Sequence, residues 1–183
     1  GQVFDTATTA MQKQDLVAAK TAFAELGQGE GGFAVIAGHM LAGVDKDLNG
    51  DKAAMEPYLK AAAEANKGLM GDLAMLKLAY AKADTAPLAE LETIARPLVD
   101  KGGHVGALAR ELVAAKALAS GEIERARSEY QALSLEIDAP GQMKVRVQQV
   151  LGTLPARAAA PAAPATTTPP ATPAQPPAQP GQQ

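Results

Sequence analysis

The sequence contains no cysteine and no tryptophan, and it has only three phenylalanines and three tyrosines. The absence of cysteine excludes disulfides and thiolate metal sites. So few aromatic residues provide few platforms on which nucleic-acid bases could stack. The sequence also lacks an apolar run of about 18 residues, the length that a membrane-spanning helix requires. The starting hypothesis is therefore a folded chain that does not span a membrane and has a core of aliphatic residues.

The charge balance is slightly acidic, with 17 basic and 20 acidic residues. One basic residue, Arg157, belongs to the C-terminal segment, so the remainder of the chain has a net charge of −4. A nucleic-acid-binding domain normally carries a basic patch or stripe. The composition therefore predicts that nucleic acid is not the partner.

Proline divides the chain into two parts. Nine of the 13 prolines fall in residues 155–183, where they alternate with alanine, threonine and glutamine. Such a segment cannot bury enough apolar surface to fold and favours polyproline II conformations. We therefore expect a folded domain over residues 1–154 and a disordered Pro/Ala/Gln-rich tail over residues 155–183.

Two helical patterns meet at Ser120-Gly121, and this hairpin is the clearest structural signal in the sequence. Apolar residues recur at steps of three and four on both sides of the turn, which is typical of amphipathic helices. Gly121 can adopt the left-handed backbone that ends many helices. The spacing Gly-x4-Ala-x3-Tyr, formed with Ala126 and Tyr130, is typical of a tetratricopeptide hairpin. In this interpretation Ala126 lets the paired helix approach and Tyr130 fills the space one turn later.

The same periodicity predicts three further hairpins. They are residues 3–13 with 15–26, residues 33–44 with 51–66, and residues 69–83 with 88–99. The small-then-aromatic spacing recurs at Ala19-x3-Phe23 and at Ala54-x3-Tyr58, and Pro57 is expected to bend its helix or delay its start. Asp84 and Pro87 look like a helix start with a capping oxygen.

Two apolar stripes in these hairpins are expected to face the core. They are Phe33, Ile36, Ala37, Met40 and Val44 in one helix, and Leu69, Leu73, Leu76 and Tyr80 in another. A last helix over residues 140–154 would cover the open end of the stack, as terminal repeats must. The sequence therefore predicts an all-α, tetratricopeptide-like α-solenoid of about four helical hairpins plus a C-terminal capping helix.

The segment between the third and fourth helices matches the EF-hand loop pattern, Asp-x-Asp-x-Asn-Gly-x5-Glu. The candidate calcium ligands are Asp45, Asp47, Asn49, Asp51 and Glu56. Against calcium, Lys52 stands where an apolar residue normally pairs with a sister loop, and no second loop occurs. The alternative is a solvated loop whose acidic residues favour the positive end of the next helix dipole. The pattern leaves open a weak calcium site or no metal at all.

Motifs for catalysis are missing. The two histidines, His39 and His104, are far apart in sequence, and no Gly-x4-Gly-Lys loop or Gly-x-Ser-x-Gly elbow occurs. Acidic residues are numerous, but nothing selects one pair for a hydrolase. We therefore predict a protein that is not an enzyme and holds no cofactor, with an undetected hydrolase as the last alternative.

Residues 84–92, together with 109–112 and 119–121, resemble the tetratricopeptide-like domain of YfgM-type proteins in their alphaproteobacterial form. This family comprises ancillary subunits of the Sec translocon in bacterial inner membranes. The resemblance implies a short cytoplasmic segment and one membrane-spanning helix ahead of the repeats, and a periplasmic location for the repeats themselves. It also implies contacts with the translocon and with periplasmic chaperones.

The chain begins with Gly1 rather than methionine, so we expect that an anchor or signal peptide once preceded it. The resulting hypothesis is a periplasmic protein-binding scaffold that touches the membrane only through that missing anchor. Two features depart from the family, namely the longer acidic loop at 45–51 and the proline-rich tail. The alternative hypothesis is another envelope scaffold, serving cell division or outer-membrane assembly, and a version of either that binds calcium weakly at residues 45–56 is the second alternative.

Overall fold

The computed structural model describes residues 1–29 and 32–156. These residues form nine α-helices and one short 3-10 turn, and no strand occurs among them. The helices are α1 Gln2–Gln12, α2 Leu16–Gly27, α3 Gly32–Asn49, α4 Glu56–Ala65, α5 Leu69–Lys82, α6 Leu88–Lys101, α7 Gly103–Ala119, α8 Ile123–Leu135 and α9 Gly141–Thr153, and the 3-10 turn Lys52–Met55 lies between α3 and α4. The predicted tail lies outside the described residues from Arg157 onward.

Each helix packs against the next one along the chain, from α1 to α9. In addition, α3 contacts α5 and α5 contacts α7, so these three odd-numbered helices form one layer of the stack. Four hairpins follow one another in this way, and α9 packs on α8 at the end of the stack. The predicted α-solenoid with four hairpins and a C-terminal capping helix is confirmed.

The helix boundaries follow from local chemistry. The Asp15 carboxylate caps α2 by accepting a hydrogen bond of 3.0 Å from the backbone N–H of Ala18. Gly121 has a φ of +80° between α7 and α8, the left-handed conformation that the sequence predicts for it. Pro57 lies in the first turn of α4, where its missing N–H costs nothing, so the predicted late start of this helix is confirmed.

The predicted cap of α6 is wrong. Pro87 directly precedes α6, but no side chain caps this helix. The Asp84 carboxylate instead accepts a hydrogen bond of 2.8 Å from Lys52, on the 3-10 turn. This ion pair competes with capping because the carboxylate oxygen gains a charged donor there.

The core is divided into four apolar clusters along the stack. Neighbouring clusters share partly buried side chains, as Tyr58 does between the first and second clusters and Met75 between the second and third. Leu88 and Leu108 join the third cluster to the last one, which α9 closes with Met143 and Val147. A linear series of small cores is the organisation expected of a solenoid.

The even-numbered helices carry the predicted small-then-aromatic spacing only at the two ends of the stack. Ala19 and Phe23 are buried in α2, and Ala126 and Tyr130 are buried in α8, as the sequence predicts. In the two central hairpins the order is reversed, because the large residue comes first in Leu59-x3-Ala63 and in Leu91-x3-Ala95. Reversal keeps one small and one large buried residue in each pair, although leucine replaces the larger aromatic residue.

The assignment of Ala54-x3-Tyr58 to this pattern is wrong. Ala54 lies in the 3-10 turn that precedes α4, and Tyr58 is only half-buried. The buried residues of α4 are Leu59, Ala62 and Ala63. Helix α4 begins at Glu56, later than the predicted helix over residues 51–66, and its buried face consists of different residues from the predicted one.

Both expected core stripes of the odd-numbered helices are wrong in part. Val44, Ala37 and Leu76 are buried as expected. The largest members of the stripes are not, since Phe33 is 57%, Met40 43%, Leu69 64% and Tyr80 44% exposed. The contact faces of α3 and α5 consist of other residues, namely Val35, Gly38, Leu41, Ala42 and Asp45 in α3, and Gly71, Ala74, Leu78 and Ala79 in α5.

Small residues recur on the contact faces of the odd-numbered helices, at Ala7, Gly38, Gly71 and Gly106, with spacings of 31, 33 and 35. Backbone lies directly against the last two of these glycines. A Cβ atom on Gly71 would lie 1.6 Å from the Asn66 carbonyl oxygen, and one on Gly106 would lie 2.7 Å from the Leu98 carbonyl oxygen. A side chain on Gly71 or Gly106 would therefore clash with backbone.

We expect Gly71→Ala to lower the free energy of unfolding by about 1–3 kcal/mol, because the added methyl group overpacks against backbone. Helix propensity alone predicts the opposite sign, since alanine stabilises a helix interior by about 0.5–1 kcal/mol relative to glycine. Gly43→Ala, in α3 with no atom within 4 Å of the added Cβ, is the matched control and is expected to stabilise. Urea denaturation measures both, and a Gly71→Ala protein as stable as the control variant would contradict the close contact.

Ala126→Leu tests the hairpin formed by α7 and α8. Ala126 is fully buried beside Tyr130, so the larger side chain is expected to destabilise the protein by about 1–3 kcal/mol. Ala115→Leu, at an exposed position of α7, is the control and is expected to change stability by less than about 0.5 kcal/mol. Thermal denaturation followed by circular dichroism compares the two, and equal melting temperatures would show that the pairing is wrong.

Candidate functional site

Exposed apolar side chains are concentrated on the layer of odd-numbered helices. Ten large hydrophobic residues of the described chain are exposed, and seven of them lie on α3, α5 or α9: Phe33, Met40, Leu48, Leu69, Met70, Tyr80 and Val145. We call the surface of α3 and α5 that carries Phe33, Met40, Leu69, Met70 and Tyr80 the odd-helix face. Clustered exposed apolar residues, unlike scattered ones, mark interaction surfaces.

Polar contacts fix α3 against α5 within the odd-helix face. The His39 ring lies between the two helices, with Nε2 2.9 Å from the Met70 carbonyl oxygen and Nδ1 3.2 Å from Lys77 Nζ. Burial lowers the pKa of His39, and the neighbouring charge of Lys77 acts in the same direction. A neutral imidazole fits both contacts, because Nε2–H then donates to Met70 while Nδ1 accepts from Lys77.

Tyr80 lies close enough to α7 and α9 for charged residues on these helices to shift its pKa. Burial of part of its ring raises the pKa of Tyr80, and the negative charge of Glu111 adds to the shift. Glu111 in turn binds Arg146 of α9 through two hydrogen bonds, of 3.1 and 2.9 Å. This bidentate pair holds α9 beside α7 and leaves the Tyr80 ring at the surface.

A groove of about 460 Å³ opens between the end of α3, the 3-10 turn and the end of α5. Met55, Tyr80 and Ala81 form its apolar floor, and Lys46, Lys52 and Lys77 surround it. We call this the lysine groove. Its volume lies in the range of roughly 300–1,000 Å³ that is typical of ligand sites.

The three lysines differ in how far they are neutralised. Lys52 pairs with Asp84 at 2.8 Å, and Lys46 lies 3.7 Å from Asp47. Both pairs are exposed to solvent and are therefore weak. Within the described part of the chain, Lys77 has no carboxylate within salt-bridge distance and contacts only the uncharged His39 ring. The groove therefore combines an apolar floor with one lysine, Lys77, that no carboxylate of the described residues neutralises.

A second cavity, of about 230 Å³, lies between α6, α7 and α8, and its charges are balanced internally. Arg110 binds Glu129 at 2.9 Å, and Arg125 binds Glu92 at 2.8 Å. These pairs join the three helices to one another. The cavity therefore offers a ligand no uncompensated charge, unlike the lysine groove.

The candidate calcium ligands do not form a loop. Asp45, Asp47 and Asn49 all lie on α3, which extends through the first half of the pattern. Asp45 is buried and binds Lys20 of α2, and Asn49 donates to the Asp45 carboxylate at 3.0 Å. The helical conformation of this segment corrects the predicted loop there. Lys20 of α2, which is distant in sequence, pairs with Asp45 in this helical segment.

The other two candidate ligands are also engaged by the protein itself. Asp51 caps the 3-10 turn by accepting from the Ala53 N–H at 2.9 Å. Glu56 pairs with Lys60 at 2.6 Å and with Lys82 at 3.2 Å, and hydrogen bonds from these two lysines lower the pKa of Glu56. Residues 1–29 and 32–156 contain no group of three or more histidine or acidic side chains placed to hold a metal ion.

Calcium binding at residues 45–56 would require the last turn of α3 to unwind and Lys20 to leave Asp45. We therefore expect about 10 mM calcium to leave the melting temperature unchanged, whereas a weak site with a Kd of about 1 mM would add about 1.4 kcal/mol. Differential scanning calorimetry with calcium, and with magnesium as the control, makes the comparison. A rise of about 3–6 °C with calcium that Asp47→Asn removes would establish the site.

No pattern in the sequence indicates the lysine groove. Its lysines come from α3, the 3-10 turn and α5, so they meet only after the chain has folded. The sequence did contain a pattern from which the odd-helix face could have been found. Small residues recur from Ala7 to Gly106, and they mark the contact faces of the odd-numbered helices. His104, the second histidine, is exposed at the start of α7, far in sequence from His39 on α3.

Comparison with known proteins gives no match, either to a family model, to a curated protein or to a solved structure. The resemblance to YfgM-type proteins therefore stays a prediction. In the described part of the chain, no helix combines the length and the apolar character needed to cross a bilayer. Fold and surface together define an all-α helical-repeat protein with an exposed apolar face.

Proposed function

We propose that the protein is a non-enzymatic scaffold that binds other proteins through the odd-helix face. The observation that carries the proposal is the concentration of exposed large apolar side chains on one layer of the solenoid, including Phe33, Met40, Leu69 and Tyr80. Stacked helix pairs offer an extended surface of this kind to peptides and helices. Burial of these side chains by a partner would supply about 25 cal/mol for each Å² of apolar surface.

Rigid support favours binding by this face. His39 joins α3 to α5, α5 packs on α7, and the Glu111–Arg146 pair joins α7 to α9. A preformed surface loses little conformational entropy when a partner docks. The face therefore has the physical properties of a binding surface without any conformational change.

The state of the carboxylates supports the non-enzymatic part of the proposal. A catalytic general acid needs a raised pKa near neutral pH. Among the described carboxyl groups with resolved shifts, lysine partners lower the pKa of both, Glu56 through Lys60 and Lys82 and Asp84 through Lys52. Both carboxylates are engaged in ion pairs and remain ionised, which suits a structural role.

The cellular setting of the proposal depends on the resemblance to YfgM-type proteins alone. It places the repeats in the periplasm, tethered to the inner membrane, with the Sec translocon or periplasmic chaperones as partners. The alternative partners are those of another envelope scaffold, for cell division or outer-membrane assembly.

Site-specific photocrosslinking in cells that make the protein tests the proposal. Benzoylphenylalanine is placed at Leu69 on the odd-helix face and, as a matched control, at Val17 on α2, since the two side chains are 64% and 67% exposed. We expect discrete protein adducts from position 69 and none from position 17. Equal adducts from both positions, or none from position 69, would contradict the proposal.

Mass spectrometry of the adducts then tests the setting. Translocon subunits or periplasmic chaperones would support the expected partners. Division or outer-membrane assembly proteins would support the alternative envelope scaffold.

A further inference from the structure

The lysine groove combines two properties that point to one kind of ligand. Its floor is apolar, formed by Met55, Tyr80 and Ala81, whereas its edge carries Lys46, Lys52 and Lys77. The chain as a whole is acidic, with a net charge of −3, so this edge has the opposite sign to the average surface. A complementary ligand has an apolar group between negative charges.

Lys77 shows what the groove lacks. Its ammonium group donates to the neutral His39 Nδ1 at 3.2 Å, and no carboxylate of the described chain reaches it. A carboxylate is a stronger acceptor for a lysine ammonium than an uncharged ring nitrogen. An incoming carboxylate would therefore improve the hydrogen bonding of Lys77 instead of displacing an ion pair.

The charges around the groove favour a short acidic peptide over a membrane or a nucleic acid. Asp84 and Asp47 lie beside Lys52 and Lys46, so a broad polyanionic surface would meet these carboxylates as well as the lysines. Binding to nucleic acid or to anionic lipid relies on an extended basic patch. A peptide side chain needs only the space between the lysines.

We propose that the lysine groove binds an acidic segment of a partner protein, with one apolar side chain of that segment on Met55 and Tyr80 and its carboxylates at Lys46, Lys52 and Lys77. This inference rests on the proposed scaffold function and names the chemistry of the partner. The odd-helix face supplies additional apolar contacts beside the groove. Acidic residues in the partner then select which segments dock there.

The probe is a fluorescein-labelled hexapeptide of four glutamates and two leucines, titrated with the full chain and followed by fluorescence anisotropy. We expect saturable binding that weakens as sodium chloride rises from about 50 to about 300 mM, because salt screens exposed charges. A peptide with lysines in place of the glutamates tests the sign of the charge. A peptide with serines in place of the leucines tests the apolar floor, and neither control peptide is expected to bind.

Variants identify the groove as the site. Lys77→Gln is expected to weaken binding about threefold, as for one exposed charge pair, and the combined Lys46→Gln, Lys52→Gln and Lys77→Gln change by at least about tenfold. Lys13→Gln, at the end of α1 and outside the residues that line the groove, is the matched control and is expected to leave the affinity unchanged. Circular dichroism verifies that each variant keeps its helical fold.

Three results would overturn the proposal. They are no binding of the acidic peptide, equal binding of the lysine peptide, or full affinity in the folded triple variant. Cosedimentation with phosphatidylcholine vesicles that contain phosphatidylglycerol is the remaining arm. Lysine-dependent vesicle binding without peptide binding would assign the groove to anionic lipid and overturn the peptide proposal.

The photocrosslinking result separates this proposal from the scaffold function. Adducts at position 69 without peptide binding would leave the scaffold function supported and the acidic partner chemistry wrong. Peptide binding without adducts at position 69 would support the groove and contradict the scaffold function in cells.

Discussion

Direct contact between backbones of neighbouring helices is the constraint on which the rest of this structure depends. Gly71 lies against the Asn66 carbonyl and Gly106 against the Leu98 carbonyl, at distances that admit no side chain. Helices held so close bury many small residues between them, and more than half of the buried apolar residues are alanine. Leucine, methionine and aromatic side chains are too large for these close contacts. They lie either elsewhere between the packed helices or outside the core.

This arrangement explains why an interaction surface coexists with a complete core. A solenoid packed through larger residues would need side chains such as Leu69 and Tyr80 inside, but here the core is full without them. They collect on the odd-helix face because smaller side chains, such as Ala42 and Ala74, occupy the buried positions of α3 and α5. The lysine groove forms where this face reaches the 3-10 turn. The small residues on the contact faces thus account both for the close packing of the helices and for the exposed apolar surface.

Helix boundaries were predictable from the sequence because they are set locally, by residues such as Asp15, Pro57 and Gly121. The buried faces of α3 and α5 were not, because periodicity assigns large residues to the core, whereas glycine and alanine occupy it here. The metal-loop pattern failed to predict the local conformation for another reason, since Lys20 holds Asp45 on a helix from 25 residues away in the chain. The lysines of the groove come from three elements and share no spacing that a sequence could display. Features set by residues close in sequence were therefore predictable, whereas features formed by residues distant in sequence were not.

The division of the core into four clusters gives the solenoid graded cooperativity. The first cluster, built by α1, α2 and part of α3, shares only Tyr58 with the second. Helix α3 contributes to both clusters, so opening of α1 and α2 would expose Leu41 and Val44 of α3 while the second cluster keeps its own contacts. The second and third clusters both support α5, through Leu78 and Leu76 respectively. Fraying of the N-terminal hairpin therefore leaves α5, and the surface that it carries, in place.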